Sequence, residues 1–199
     1  MVSTISKEEL SVLGQEVFTG RIIVVQSIKE AEKACDYLQE FDAIGFDTET
    51  RPAFKKGVTH QIALMQLSTE DTCFLFRLNI IDMPDCLVDL LTNTEIKKIG
   101  LSLKDDFSAI RKRSPITPSN FIDLQVFVRE YGIEDIGLQR VYGILFGKRI
   151  SKGQRLSNWE AETLSDSQKM YAAIDAWACL RIFNTLKNRE KNIPKSPLG

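Results

Sequence analysis

The sequence has almost no histidine and no paired cysteines. His60 is its only histidine, and Cys35, Cys73, Cys86 and Cys179 lie far apart with no C-x-x-C spacing, which excludes the usual nitrogen and sulfur sets of structural zinc. The four thiols are expected to be reduced and mostly buried, since a chain of this size without a secretory leader has little need of disulfides. The N-terminus, MVSTISKEEL, has no basic segment followed by an apolar one, so no such leader is predicted. No apolar run approaches the roughly 18 to 20 residues that cross a bilayer, so no membrane span is predicted and a cytoplasmic location is expected. An excess of one charge is also missing. The formal net charge is -1, so any polyanion must be held by local basic patches and metal rather than by the protein's overall field.

What is present describes an ordinary folded chain. A length of 199 residues supports one substantial core and predicts a single domain. A hydrophobic fraction of 43% with 27% charged residues fits a globular protein and neither a disordered nor a fibrous one.

Ser6 with Glu9 predicts a capped leading helix, so residues 1–19 read as a helical N-terminal extension. The β-branched run from Gly20 to Gln26 predicts a strand. Ser27 with Glu30 then caps a helix over about Ile28 to Gln39, followed by a strand over Ala43 to Glu49. Further strands are expected near Gln61 to Ser68 and Cys73 to Arg77, with a polar STED turn making them a hairpin, so an antiparallel group comes first. The pattern then alternates: a helix near Asp85 to Leu91, a strand over Lys97 to Leu101, and a helix near Asp105 to Lys112, which predicts parallel α/β organisation. SPITPSN reads as a loop, followed by helical stretches over Leu124 to Tyr131 and Leu138 to Phe146. GKRISKGQRLSNW reads as another loop. Ser165 with Gln168 opens a long helix from about Asp166 to Leu186, and residues 188–199 read as a flexible tail.

Three segments carry acids in unusual places. Asp47 and Glu49 stand two apart on a predicted strand, so their side chains leave the same face and their like charges converge. An aspartate at a strand end also simply starts loops. Asp175 lies in MYAAIDAWACLRIF, a helix apolar around most of its circumference, where a carboxylate costs several kcal/mol unless paired, hydrogen-bonded or metal-bound. Arg181 or a lysine is one available partner; metal is another. Tyr171 lies one turn earlier on the same face. Asp105 and Asp106 open a helix after a short strand, a position that acids also favour through capping and the helix dipole. Together the segments offer oxygen ligands suited to hard divalent ions, and two such ions about 4 Å apart suit phosphodiester cleavage.

In order, FDTET, KIGLSLKDDFSAI and SNWEAETLSDSQKMYAAIDAWACLRIF resemble the three motifs of the DEDD superfamily of 3'-5' exonucleases, in the subclass with Tyr-x-x-x-Asp in the third. The likeness is nearest to Werner-syndrome-type exonuclease domains, with ribonuclease D and family A polymerase proofreading domains further away, and it covers about residues 20–187. It implies an α/β, ribonuclease-H-like fold in one domain, with a mixed five- or six-stranded sheet flanked by helices. It further implies that Asp47, Glu49, Asp106 and Asp175 bind two divalent ions, Mg²⁺ or Mn²⁺, and that Tyr171 orients the attacking water. Asp105 is the alternative in the second motif, since the alignment slides by one there. The implied activity is hydrolysis of nucleic-acid 3' ends to nucleoside 5'-monophosphates. DNA is favoured over RNA as substrate, and a helicase or other repair partner is expected to act in trans.

Arg51, Lys55 and Lys56 after the first motif, and Lys148, Arg149, Lys152 and Arg155 before SNW, are candidate phosphate contacts, and Phe54 is a candidate for stacking on a terminal base. Trp159 and Trp177 are expected in the core. Two other readings compete. A decayed, non-catalytic nucleic-acid-binding module would be expected to lose one or more acids, yet all four positions are filled. The D-x-x-T of FDTET is also similar to haloacid-dehalogenase-type phosphatases, but that pattern asks for Asp at the position of Glu49 and Thr or Val at that of Arg51, and it leaves Tyr171 and Asp175 unexplained.

Overall fold

The computed structural model describes residues 2–55 and 57–191. Lys56 and the 192–199 part of the expected tail lie outside the described residues.

The chain opens with helix α1 (Lys7–Val12) and the two-residue strand β1 (Gly14–Gln15), then β2 (Arg21–Val25), α2 (Ile28–Leu38), β3 (Ala43–Thr50), β4 (Ile62–Ser68) and β5 (Thr72–Phe76). One helical turn, α3 (Leu78–Ile81), leads to α4 (Asp85–Thr92), β6 (Lys97–Gly100), α5 (Lys104–Arg113) and β7 (Phe121–Asp123). Then come α6 (Leu124–Phe127), a 3-10 turn (Val128–Tyr131), α7 (Leu138–Phe146), β8 (Lys148–Arg149) and α8 (Asp166–Leu186). Three helices begin on the same device. Ser6, Ser27 and Ser165 each accept the backbone N–H three residues on, while Glu9, Glu30 and Gln168 reach back to the cap's own N–H, so two otherwise unpaired donors are satisfied at each start.

Six strands form one sheet in the order β2-β5-β4-β3-β6-β7. Only β4 runs against its neighbours, pairing antiparallel with both β3 and β5, while β2–β5, β3–β6 and β6–β7 are parallel. The sheet is thus mixed, with six strands. The expected β4–β5 hairpin is present, but β2 joins it parallel to β5. Strands β4 and β5 are buried along their whole length, which is why they read as nearly continuous apolar runs rather than alternating ones.

Two apolar layers sandwich the sheet. On one face Ile44, Phe46, Met65, Leu67 and Phe76 pack with α2, α4 and Ile110 of α5. On the other, Leu64, Leu75 and Ile99 pack with α7 and α8. The long stretch of α8 between Ala172 and Leu186 is buried almost all round because it lies in the middle of this second layer.

The first residues close over the same layer. Ile5 N–H donates to Asp135 at 2.8 Å. Strand β1 pairs in parallel with β8, Gly14 with Lys148 and Gln15 with Arg149. Glu16 accepts from Tyr142 Oη at 2.8 Å and from Arg181 at 2.9 Å.

Strand β7, turn α3 and strand β8 differ from the reading of the sequence. Each spans four residues or fewer, too short for a periodicity to register, and β8 exists only through a partner that lies far away in sequence. Among the described residues no helix is long and apolar enough to cross a membrane.

Candidate functional site

Strand alternation sorts β3 into two sets. Ile44 and Phe46 enter the α2 layer, and Thr48 follows them on that face. Gly45, Asp47 and Glu49 face α8. Helix α8 crosses β3 so closely that a Cβ on Gly45 would lie 2.0 Å from the Ala176 carbonyl oxygen. Only glycine permits that approach. It brings Asp175, the neighbour of Ala176, down beside the end of β3. Asp47, Glu49 and Asp175 each present an oxygen within 4.8 Å of the others.

The second motif arrives from the other layer. After β6 the chain turns through Ser102 at φ 62°, and the Asp123 carboxylate fixes this turn by accepting the N–H groups of Ser102 and Leu103, both at 3.0 Å. Helix α5 then starts, with Asp105 exposed and Asp106 half-buried. Asp106 accepts a hydrogen bond from the Thr48 hydroxyl. Its oxygens are outside the close cluster of three, but its charge raises the pKa of both Asp47 and Glu49.

These acids hold their protons unusually well. Burial first, then the charges of Asp175, Glu49 and Asp106, lifts Asp47 well above the ordinary carboxylate range. Burial, Asp175 and Asp106 push Glu49 up to about 8 against the pull of Arg155. Burial takes Asp175 to about 7, opposed by the Tyr171 hydroxyl proton and by Lys152. Burial takes Asp106 to about 6, opposed by the Thr48 hydroxyl. Among the described residues none of the four forms an ion pair. Arg181, the alternative partner for Asp175, pairs with Glu16 instead. Converging, half-buried carboxylates with no ion-pair partner among the described residues fit a set of hard oxygen ligands for divalent ions.

Tyr171 sits one turn before Asp175 on α8, half-buried. Its ring leans on the fully buried Trp159, with centroids 6.0 Å apart. Burial and the neighbouring acids Asp175, Glu49 and Asp47 push its pKa upward, so its phenol keeps its proton. Trp159 is in the core as expected. Trp177 is only half-buried and donates its indole N–H to Glu70 O at 3.0 Å, because it faces the edge of the α8 layer rather than the sheet.

The candidate basic residues separate into groups. Lys152 and Arg155 act on the carboxylates. Lys148 and Arg149 belong to β8, where the Arg149 guanidinium donates to Leu13 O at 3.1 Å, so they anchor the N-terminal arm. Arg51 pairs with Glu160 at 3.1 Å, and His60 lies 3.4 Å from the other oxygen of the same carboxylate. This joins the segment after β3 to the one before α8. Between the two segments a cleft of about 410 Å³ is lined by Phe54, Lys55, Val58, Leu156 and Asn158. Phe54 is 82% exposed, free to meet a ligand face. Thr48, Glu160 and Gln66, an amide in the buried strand β4, were not singled out from the sequence. For Gln66 the signal was there to find, as the one amide in the apolar run IALMQLS.

A six-stranded mixed sheet with a carboxylate cluster under its longest helix defines a ribonuclease-H-like α/β domain equipped to hold metal. The chain belongs to the 3'-5' exonuclease family, whose model matches residues 22–190. It is similar to the Mus musculus bifunctional 3'-5' exonuclease/ATP-dependent helicase WRN, 32% identical in an alignment 157 residues long that covers 76% of this chain and 11% of that protein. It is also similar to ribonuclease D of Haemophilus influenzae, 30% identical over 83% of this chain and 40% of the relative. The Aedes aegypti Nibbler EXO domain shares the fold, with a TM-score of 0.77 and 22% identity over 86% of this chain and 91% of that one. The chain spans well under two thirds of each of these curated relatives, 11% of the first, 40% of the ribonuclease D and 31% of an Exonuclease mut-7 homolog of Drosophila melanogaster.

Proposed function

We propose that this chain is a metal-dependent 3'-5' exonuclease that removes nucleotides from nucleic-acid 3' ends as nucleoside 5'-monophosphates. The observation that carries the reading is the meeting of Asp47, Glu49 and Asp175 within 4.8 Å, with Tyr171 one turn away, in a member of the 3'-5' exonuclease family.

Asp47, Glu49, Asp106 and Asp175 would hold two divalent ions, Mg²⁺ or Mn²⁺. Bound there, the ions would supply activation of a water and stabilisation of the departing 3' oxygen. Asp106 is preferred to Asp105 because its side chain is half-buried and its charge is felt by Asp47 and Glu49, whereas Asp105 is exposed. Tyr171, a phenol held in its protonated form, orients the attacking water by hydrogen bonding and does not take its proton. Lys152 and Arg155 bind phosphates beside the carboxylates. The exposed ring of Phe54 stacks on a terminal base, in the cleft between the segments that Glu160 joins.

DNA is the favoured substrate by the resemblance of the three motifs to Werner-syndrome-type exonuclease domains, and RNA, which the 30% identity to ribonuclease D favours, is the alternative that the assay compares. By the 32% identity to the mouse protein whose name joins exonuclease and helicase, a helicase acting in trans is the favoured partner. The test is nucleotide release from 5'-labelled single-stranded and recessed-3' DNA and RNA with Mg²⁺, Mn²⁺ or EDTA, comparing wild type with Asp47→Ala and Asp175→Ala. Stepwise 3' shortening that needs metal and disappears in both variants is expected, faster on DNA. A folded, metal-supplied protein that shortens no substrate would overturn the reading.

A further inference from the structure

We propose that Gln66 is a positioning residue for the metal-binding carboxylates, its side-chain Nε2–H holding the Asp47 carboxylate in the orientation that receives the ion. The proposal rests on the reading of Asp47 as a metal ligand.

Gln66 lies in the middle of β4 and is completely buried. Neither its Oε1 nor its Nε2 has a hydrogen-bond partner among the described residues. A primary amide offers two donors and a carbonyl acceptor, and leaving all of them unmet in a dry layer is costly, whereas a leucine or methionine of similar size would fill the place at no such cost. Among the described residues nothing offsets Gln66, so its reason lies in a state that gives it a partner.

The sheet identifies that partner. In the antiparallel β3–β4 pair, Asp47 stands directly opposite Gln66. Opposed residues project to the same face with Cβ atoms roughly 4.5 to 5.5 Å apart, within reach of a glutamine amide. The other cross-strand neighbour, on β5, is Leu75, which offers no side-chain polar atom. Ser68, two residues along on the same face, already gives its hydroxyl to Thr69 O at 2.8 Å. The Asp47 carboxyl is thus the polar group that the register sets before the amide. Once ionised on a cation, that carboxylate has lone pairs to spare, and an amide donor beneath it fixes which oxygen turns to the metal.

The experiment measures Mn²⁺ binding by calorimetry and metal-free thermal stability in EDTA for wild type, Gln66→Leu, Gln66→Met and Asp47→Ala. Both Gln66 variants are expected to melt in EDTA at or above the wild-type temperature, because they remove unmet polar atoms, and yet to bind Mn²⁺ about 10- to 100-fold more weakly. A purely packing role would give the opposite pattern, with stability lost and the Mn²⁺ affinity of the folded protein retained. Wild-type affinity in both Gln66 variants, with affinity lost in Asp47→Ala, would overturn the role of Gln66 and leave the metal site standing. Wild-type affinity in Asp47→Ala as well would overturn the metal reading itself.

Discussion

The Ala176 carbonyl rests directly on Gly45, with no room for a methyl group between helix and strand. This close approach lets α8 settle onto β3 and bring Asp175 toward Asp47 and Glu49. Gly45→Ala must push backbone against backbone. The expected cost is on the order of 3 kcal/mol, seen as a large drop in melting temperature. In any folded fraction, metal binding should weaken because the carboxylates are drawn apart.

Metal-free protein should lose stability as pH rises. Asp47, Glu49, Asp106 and Asp175 all have folded pKa values above those of an unfolded chain. Between the two values the folded state binds more protons, so the stability that these four groups contribute is complete below about pH 4 and is lost as the pH rises through the folded values of about 6, 7 and 8. Lys98 works in the other direction but at higher pH, since burial lowers it only to about 8. Melting temperatures in EDTA should therefore decline from mildly acidic to mildly alkaline buffer. Saturating Mg²⁺ or Mn²⁺ should flatten that decline, and a pH-independent melting temperature in EDTA would contradict it.

Asp106 and Asp105 should behave differently on removal. Asp106→Asn is expected to cut the rate of nucleotide release by about 100-fold or more. Asp105→Asn removes an exposed acid at a helix start and should cost less than about 1 kcal/mol of stability with little change in rate. Parallel single-turnover assays and melts of the two variants separate these outcomes, and equal losses in both would refute the assignment.

Tyr171→Phe keeps the ring against Trp159 and removes only the hydroxyl. Melting should change little, while the rate of release at saturating substrate should fall by roughly 100-fold, with KM nearly unchanged, if the hydroxyl acts on the reacting water. A matching fall in stability would point to a packing role.

Much of this architecture was legible beforehand because it rests on local chemistry. The capping boxes at Ser6, Ser27 and Ser165, the alternation that puts Asp47 and Glu49 on one face, and the apolar girdle around Asp175 are all written within a few neighbouring residues. The parts that escaped depend on partners distant in sequence. Strand β8 is a strand only beside β1, Lys148 and Arg149 leave the site only because the N-terminal arm claims them, and Glu160 finds Arg51 and His60 only after folding. Asp106 and Asp105 share a helix start, so spacing could not separate them; that Thr48 of β3 bonds to Asp106 shows only once the chain is folded.

The arm formed by residues 2–16 has a consequence in time. Ile5 to Asp135, Glu16 to Tyr142 and Glu16 to Arg181 span 130, 126 and 165 residues of chain. Such contacts gain nothing until the intervening chain has already been ordered, so they are expected to form late in folding, after the transition state. Weakening them speeds unfolding without slowing folding. The arm is therefore expected to act as a latch, its removal shortening the lifetime of the finished domain in unfolding experiments while leaving the refolding rate nearly unchanged.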